Sequence, residues 1–545
     1  MTAEGGEGVS GGEGVLAARV LDALVREDYA GLRGFVDRDR RLLRLAGLPV
    51  RLLDARPGFL ADLIVDPGQG LRLDEVFAAV RALADPRDDV AAFERECESA
   101  LATLRLHEQE RPAVLRRLGR VPEELRRGPG PFYETLAAFT DHPVHPTGRS
   151  RAGLSRADLN RHAPEFGPVF PLRWATVPRC EATLAGVRPD WWPDGPDGRT
   201  MFPVHPLTAP FLKELPGVTV DAEPFLQVVP TLSMRTVVAG PFTHLKMPLP
   251  TSTLGLRNRR TIVPGTLPDG ALTERILRRV VAHEPDLPLL LADEQTYGHA
   301  GSPLLGYLVR RFPEQTARAH VVPVAALLAE APEGGCVIER WDVPSLFGAY
   351  LDALLTLNVA LFRYGIALEA HQQNVSLVLS GGTDGDGAGG LLRLLVKDYD
   401  GTLIDPVRLR ERLGPGDGDR DGDRDGADPG GLIDRRMTTR DPEALARVFV
   451  TITLHLCAAA PAFGLAERGL LPLRTGLAMV RDRLDAALGP QDAFLRARTL
   501  DAARLPGKAM VTAGTLVDKA RTGAADINKH YGPLGPNYLR DGTCC

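Results

Sequence analysis

Two runs in the last third of the chain carry residue types that could do chemistry: Leu368-Glu-Ala-His-Gln-Gln-Asn374 and Val396-Lys-Asp-Tyr-Asp-Gly401. Carboxylates and amides gathered in one place suit a hard divalent cation that holds substrate phosphates, since magnesium takes oxygen ligands and keeps few from the protein. The residues between the runs predict how they meet. Val375 to Leu379 and Leu391 to Val396 are β-branched and apolar, and Ser380-Gly-Gly-Thr-Asp-Gly-Asp-Gly-Ala-Gly-Gly390 favours a turn or loop. The strands of a hairpin run antiparallel, so Asn374 and Asp398 come together at its open end. Glu369, His371, Gln373 and Asp400 then converge with them. The functional reading is a magnesium and nucleotide site; the plainer one is a polar cap on a surface hairpin.

Two further runs add anion-binding chemistry. In Asp141-His-Pro-Val-His-Pro-Thr-Gly-Arg-Ser-Arg-Ala-Gly153 each proline pushes the histidine before it toward extended geometry, which presents His142 and His145 on a rigid segment. Arg149 and Arg151 follow, and guanidiniums beside imidazoles suit a carboxylate, which arginine binds through two parallel N–H bonds. A zinc site built from His142, His145 and His205 is the weaker alternative, because the spacing falls on a loop. The third run, from Pro230-Thr-Leu-Ser-Met-Arg-Thr236 to Thr261, carries Ser233, Arg235, Thr236, Lys246, Thr251, Ser252, Arg257, Arg259 and Arg260. Hydroxyls and cations among glycine and proline are what a triphosphate or polycarboxylate demands. No Walker A or GxGxxG pattern occurs in this run.

The elements that must position these residues divide the chain into regions. A Gly/Glu-rich leader (1–14) reads as disordered, and 15–135 reads as helical from the spacing of Leu21, Leu24 and Val25, of Val76, Val80 and Leu83, and of Phe93, Cys97, Leu101 and Leu104. Residues 136–335 are Pro- and Gly-rich with short strands such as Leu226 to Val229 and Arg235 to Val238. In 336–540, Asp342-Val-Pro-Ser345 starts a helix that Gly365 stops, and the hairpin follows directly. Residues 414–431 read as a flexible insertion. They contain a calcium-loop lookalike (Asp417, Asp419, Asp421, Gly422, Asp428), which Arg424 and the lack of a preceding helix argue against. The fold class is α+β.

Composition is that of an ordinary globular protein, and a net charge of -5 gives no reason to expect nucleic acid or an anionic membrane as partner. The N-terminus lacks the pattern of a signal peptide, and no run reads as the roughly 18 apolar residues of a membrane span, so the expectation is a cytoplasmic protein. The scattered cysteines, including Cys544 and Cys545, show no metal spacing. Only six of the 65 basic residues are lysine (Lys213, Lys246, Lys397, Lys508, Lys519, Lys529), so a lysine kept near a motif is informative.

Taken together, the blocks resemble a known family. His142-Pro-Val-His-Pro-Thr-Gly-Arg-Ser-Arg-Ala-Gly153 is similar to the HPxHPxxKxRxG signature of the IucA/IucC-type synthetases, the NRPS-independent siderophore synthetases. Ser233-Met-Arg-Thr236, Lys246 with Thr251-Ser252, Glu369-Ala-His-Gln-Gln-Asn374, Lys397-Asp398 and Gly507-Lys-Ala-Met-Val-Thr512 follow in that family's order, over roughly residues 140 to 515. The resemblance implies a multi-lobed, hand-like synthetase that uses ATP and Mg2+ to adenylate a carboxylate of citrate or a related acid. An amine or hydroxyl then completes the amide or ester. It implies small-molecule acid and amine partners and a homodimer.

The resemblance also assigns roles. Ser233, Arg235, Thr236 and Lys246 would line the phosphates with Gln373, Asn374 and Asp398, while Glu369, Asn374 and Asp398 would hold the metal. His142, His145, Arg149, Arg151, Thr251, Arg257 and His371 would face the acid substrate, and His371, Arg257 and Lys246 the reacting centre. Three positions depart from the pattern. Arg149 replaces a lysine, His205-Pro-Leu-Thr208 alters the HPWQ box, and the arginine after Thr251-Ser252 is offset, which leaves Arg257, Arg259 and Arg260 as competitors, with Arg257 nearest. A kinase-like phosphotransferase is the alternative, since His371-x-x-Asn374, a hairpin and Asp398 also match its metal-binding Asn and Asp; it lacks a Gly-rich loop before Lys246. A non-catalytic binding protein is the third reading.

Overall fold

The computed structural model describes residues 11–540 apart from 46, 222, 381–391, 415–427 and 525–528. Helix α1 (Gly11–Arg26) begins inside the stretch read as leader, because Glu13 ties its first turn down: the carboxylate accepts the Leu73 N–H at 3.2 Å and pairs with Arg105. Its apolar face, with Leu16, Val20, Leu21 and Leu24, packs on α2 (Leu73–Leu83) and α3 (Val90–Leu118), and the same core takes in Val511 and Leu516 from the other end of the chain. Between α1 and α2 lies a small antiparallel sheet, Val36–Asp37, Leu42–Leu45, Leu48–Asp54 and Leu63–Val65, that the helical reading of 15–135 did not include. Its signal is alternation: Leu43 and Leu45 are buried and Arg44 is exposed.

The middle region builds β1 (Gln227–Pro230), β2 (Thr236–Gly240) and β3 (Thr243–Lys246), the first two within two residues of the positions read from sequence. Helix α4 (Thr266–His283) leads to β4 (Leu289–Leu291), β5 (Asp293–His299), β6 (Gly306–Arg311) and β7 (His320–Pro323). A seven-stranded sheet runs in the order Phe170–Pro171, β1, β2, β3, β6, β5, Thr183–Ala185. In the β3–β6 pair, His244 lies opposite Arg310 and Leu245 opposite Val309. Alternation therefore sends Leu245 and Val309 into a core with Trp174, Phe202 and Tyr307, and sends His244, Lys246 and Arg310 to the other face.

Helix α5 (Val343–Arg363) starts where expected, with the Asp342 carboxylate accepting the Ser345 N–H at 3.0 Å, and gives way to Gly365 at φ 75°. Only glycine fits there: a Cβ would lie 2.9 Å from that of Asp405. Strands β8 (Val375–Leu379) and β9 (Leu392–Val396) then pair antiparallel with Val375 opposite Val396. The hairpin is not alone, because β4 adds parallel to β9 and β7 antiparallel to β8. Both added strands precede residue 336, so the sheet carrying the hairpin is assembled across that boundary.

Helix α6 (Pro442–Glu467) packs on α5, and its central part, Phe449–Ala459, is wound in wide i→i+5 turns. Pro461 has no N–H to give the carbonyls one turn back, and two of these serve other elements. Leu456 O accepts from Gln372 Nε2 at 2.6 Å, and Cys457 O accepts from the Tyr350 hydroxyl at 2.8 Å. The helix thus holds the loop before Asn374. Both α5 and α6 are long and apolar enough to cross a membrane, contrary to the sequence expectation, but 72% and 89% of their apolar windows are buried in the protein. Asp417, Asp419, Asp421 and Gly422 of the calcium-loop lookalike, most of the 414–431 insertion, and Cys544 and Cys545 lie outside the described residues.

Candidate functional site

A cavity of about 910 Å³ opens where the two sheets, the 141–153 loop and the C-terminal segment meet. His142, Arg149, Arg151, Ser233, Arg235, Lys246, Arg257, Glu369, His371, Gln373, Asn374 and Asp398 all border it, so the three sequence constellations converge. His145, Thr236 and Thr251 do not. The His145 imidazole is packed against Thr147, Thr236 reaches Ser233 Oγ at 3.4 Å, and the Thr251 hydroxyl donates to Ala152 O.

The centre is an ion-pair network. Lys246 Nζ donates to Asp398 Oδ1 and, at 3.3 Å, to Asp400 Oδ2. Arg310 lies 3.7 Å from Asp398 and binds Glu294, which also accepts the Asp398 N–H at 2.9 Å. Burial opposes ionisation of Asp398, but the Lys246 and Arg310 cations outweigh it and hold the carboxyl well below its usual range. Its backbone sits at φ 67°, a left-handed conformation that is costly for a non-glycine residue and is kept because the network over-determines it. At the hairpin's open end the Lys397 N–H donates to Asn374 O at 3.1 Å, which realises the predicted adjacency. The Lys397 ammonium turns away and pairs with buried Glu134 at 2.7 Å.

Histidines in the cavity wall are neutral. Burial, with Lys508 beside it, pushes His371 down to about 4, and burial with His145 beside it pushes His142 well below its ordinary value. His205 packs against His162 and Phe170, and among the described residues no three His, Cys, Asp or Glu side chains gather as a metal cluster, so the zinc alternative is not assembled. Glu369 is engaged by Lys508 at 3.2 Å. Asp398 and Asp400, which share the Lys246 ammonium, and the nearby Asn374 amide form a hard-oxygen donor set that fits a cation whose remaining ligands are phosphate oxygens.

Several arginines are committed elsewhere. Arg149 donates to Asp141 at 2.6 Å, to Phe139 O at 2.6 Å and to His107, and Arg151 pairs with Glu165 at 3.1 Å. Arg149→Ala should therefore raise KM for acid and ATP alike and lower unfolding stability by about 1–3 kcal/mol, checked by urea unfolding beside the two KM values. A selective rise for the acid would restore its ligand role. Arg257 donates to Ala513 O and Val517 O, both at 2.8 Å. Arg260 instead faces Arg235; burial, with that neighbour, brings it down to about 9.

Arg257 grips one end of a turn whose other end is gripped by Glu27, the residue after α1. The buried Glu27 carboxylate accepts the Val511 N–H (3.0 Å), the Thr512 N–H (2.8 Å) and the Thr512 hydroxyl (2.8 Å). Glu96 of α3 links Thr515 to Thr147. An acid at the N–H end and a cation at the carbonyl end match the turn's dipole. Gly255 packs so close that a Cβ there would lie 2.7 Å from Gly514 Cα. This clamp delivers Lys508 to the cavity. Glu27→Ala should leave two buried amides unpartnered, cost about 1–3 kcal/mol for each, and lower turnover, with Glu27→Gln recovering part. Unchanged unfolding and turnover would refute the clamp.

Lys508, Lys519, Lys529, Arg310 and Glu294 were not among the residues assigned to the site from sequence. One signal for them was available: four of the six lysines border the cavity in a chain that otherwise uses arginine.

Residues 131–329 match a family model described as IucA / IucC family, and residues 345–523 one described as ferric iron reductase FhuF-like transporter. The first span holds Ser233 to Lys246; the second holds Glu369 to Asp398 and Lys508. Staphyloferrin B synthase of Staphylococcus aureus (strain NCTC 8325 / PS 47) is 26% identical over 309 residues, 48% of this chain and 53% of that protein. The chain thus spans about half the length of the curated relatives it matches. Among solved structures, the petrobactin biosynthesis protein AsbB from Bacillus anthracis str. Sterne superposes with a TM-score of 0.70 at 18% identity, covering 97% of this chain and 96% of that one. The ATP-bound aerobactin synthetase IucA from a hypervirulent pathotype of Klebsiella pneumoniae gives 0.69 at 17%, covering 96% and 99%. On this α+β fold, with the motif blocks gathered around one cavity, these matches support a likeness of the chain to the IucA/IucC-type family of NRPS-independent siderophore synthetases.

Proposed function

We propose that the cavity binds ATP and a citrate-like polycarboxylic acid and joins the acid to an amine or hydroxyl through an acyl-adenylate. The observation that carries this reading is the convergence, in one cavity, of Ser233, Arg235 and Lys246 from the β1–β3 region with Asp398 and Asp400 from the hairpin. A triphosphate needs such donors beside such carboxylates. The ATP named for the aerobactin synthetase structure supports it.

In the first step a substrate carboxylate oxygen attacks the α-phosphorus, and the bond to the β-phosphate breaks to release pyrophosphate. In the second, the amine nitrogen attacks the acyl carbon, AMP leaves, and the amine sheds a proton. Ser233, Arg235 and Lys246 orient the phosphates. Arg260, His142 and His371 are left to meet the acid, since Arg149 and Arg257 are committed elsewhere. Neutral His371 accepts the amine's proton. A magnesium ion bound by Asp398, Asp400 and Asn374 would neutralise phosphate charge. The reading places the enzyme in the cytoplasm.

The test is product identity with ATP, citrate and a panel of amines. Pyrophosphate release that requires both acid and amine is expected. ADP release would favour the kinase-like alternative, and release of neither would leave a binding protein.

A further inference from the structure

Six cations border the cavity without a carboxylate in salt-bridge reach among the described residues: Arg235, Arg257, Arg259, Arg260, Lys519 and Lys529. Every carboxylate lining the cavity already holds a cation: Asp141 holds Arg149, Glu369 holds Lys508, Asp398 and Asp400 hold Lys246, and Asp434 holds Arg436. The site is thus strongly positive in a chain whose net charge is -5. Arg257 holds backbone carbonyls, and Arg235 and Arg260 lie within electrostatic reach of Asp398, where phosphates and acid are accounted for. Arg259 and Lys519 are exposed, and Lys529, half-buried, donates to Arg436 O at 3.1 Å and lies within electrostatic reach of Asp434, which already holds Arg436; none of the three is within salt-bridge reach of a carboxylate among the described residues.

We propose that this solvent-facing trio selects the nucleophile, and that the nucleophile is an amine or alcohol carrying its own carboxylate, in the manner of an amino acid, rather than a polyamine. A polyammonium entering this cavity would meet uncompensated positive charge and find every lining carboxylate taken, whereas a carboxylate would find three cations that hold no carboxylate among the described residues. The inference rests on the acyl-adenylate reading above and narrows its second substrate.

The experiment supplies ATP and citrate with matched nucleophiles differing only by a carboxylate: serine against ethanolamine, ornithine against putrescine, lysine against cadaverine. Condensed product is measured by mass spectrometry, and hydroxylamine traps the adenylate in parallel. At least one carboxylate-bearing member should be condensed with a kcat/KM about tenfold or more above its partner's, the scale of a lost charge-assisted bond. In the K519E/K529E double variant that ratio should fall by about tenfold or reverse. The proposal is overturned if a decarboxylated member matches its partner, if no carboxylate-bearing member is condensed, or if the ratio survives charge reversal. Absence of hydroxamate with citrate and related acids would instead defeat the acyl-adenylate reading itself.

Discussion

Asp398→Asn should reduce pyrophosphate release on the order of 10²–10³-fold, the scale set by removing one preorganised electrostatic partner from a transition state. The substitution keeps shape and removes one charge. Lys246 and Arg310, whose side chains are only 4% and 3% exposed, would then face each other with Glu294 and the more open Asp400 as their remaining carboxylates. Phosphates would meet cations no longer fixed in position, and the donor set for a metal would lose its most shielded carboxylate. Asp400→Asn should have a smaller effect, because its side chain is 34% exposed and water can replace part of what it does. Turnover of Asp398→Asn at the wild-type rate with ordinary magnesium would remove the site assignment.

Lys397→Ala should cost about 3–5 kcal/mol of stability, because it breaks a buried pair and leaves Glu134 charged without a partner. Lys397 and Glu134 are each 7% exposed and 2.7 Å apart, and the other Glu134 oxygen accepts the Leu232 N–H at 3.0 Å. The pair therefore ties the hairpin's open end to the strand that leads to Ser233. Urea unfolding should show the loss, and the Glu134→Gln/Lys397→Met double variant should recover more than half of it, since an apolar replacement needs no counter-charge. KM for ATP should stay close to wild type in the folded fraction of either variant. A stable Lys397→Ala with a greatly raised KM for ATP would make Lys397 a phosphate ligand instead.

Legibility from sequence followed the range of the forces involved. The hairpin was readable because β-branched, apolar runs and a Gly-rich connection are local signals, and antiparallel pairing then brings Asn374 and Asp398 together at its open end. Helix α5 was readable for the same reason, with Asp342 capping one end and Gly365 ending the other. The small sheet at 36–65 was missed because three of its strands are only two to four residues long and its alternation is brief.

What each cation does was not readable, because that depends on partners far away in sequence. Lys246 meets Asp398 across 152 residues, Arg257 meets Ala513 across 256, and Glu27 meets Thr512 across 485. The residue types and their order determined the likeness to the family and the meeting of Asn374 and Asp398 at the hairpin's open end. Only the tertiary structure decided which guanidiniums are used up on buried carboxylates and carbonyls and which remain open to a substrate. The reason is desolvation: a buried charge must take the nearest partner, and the fold alone determines which partner is near.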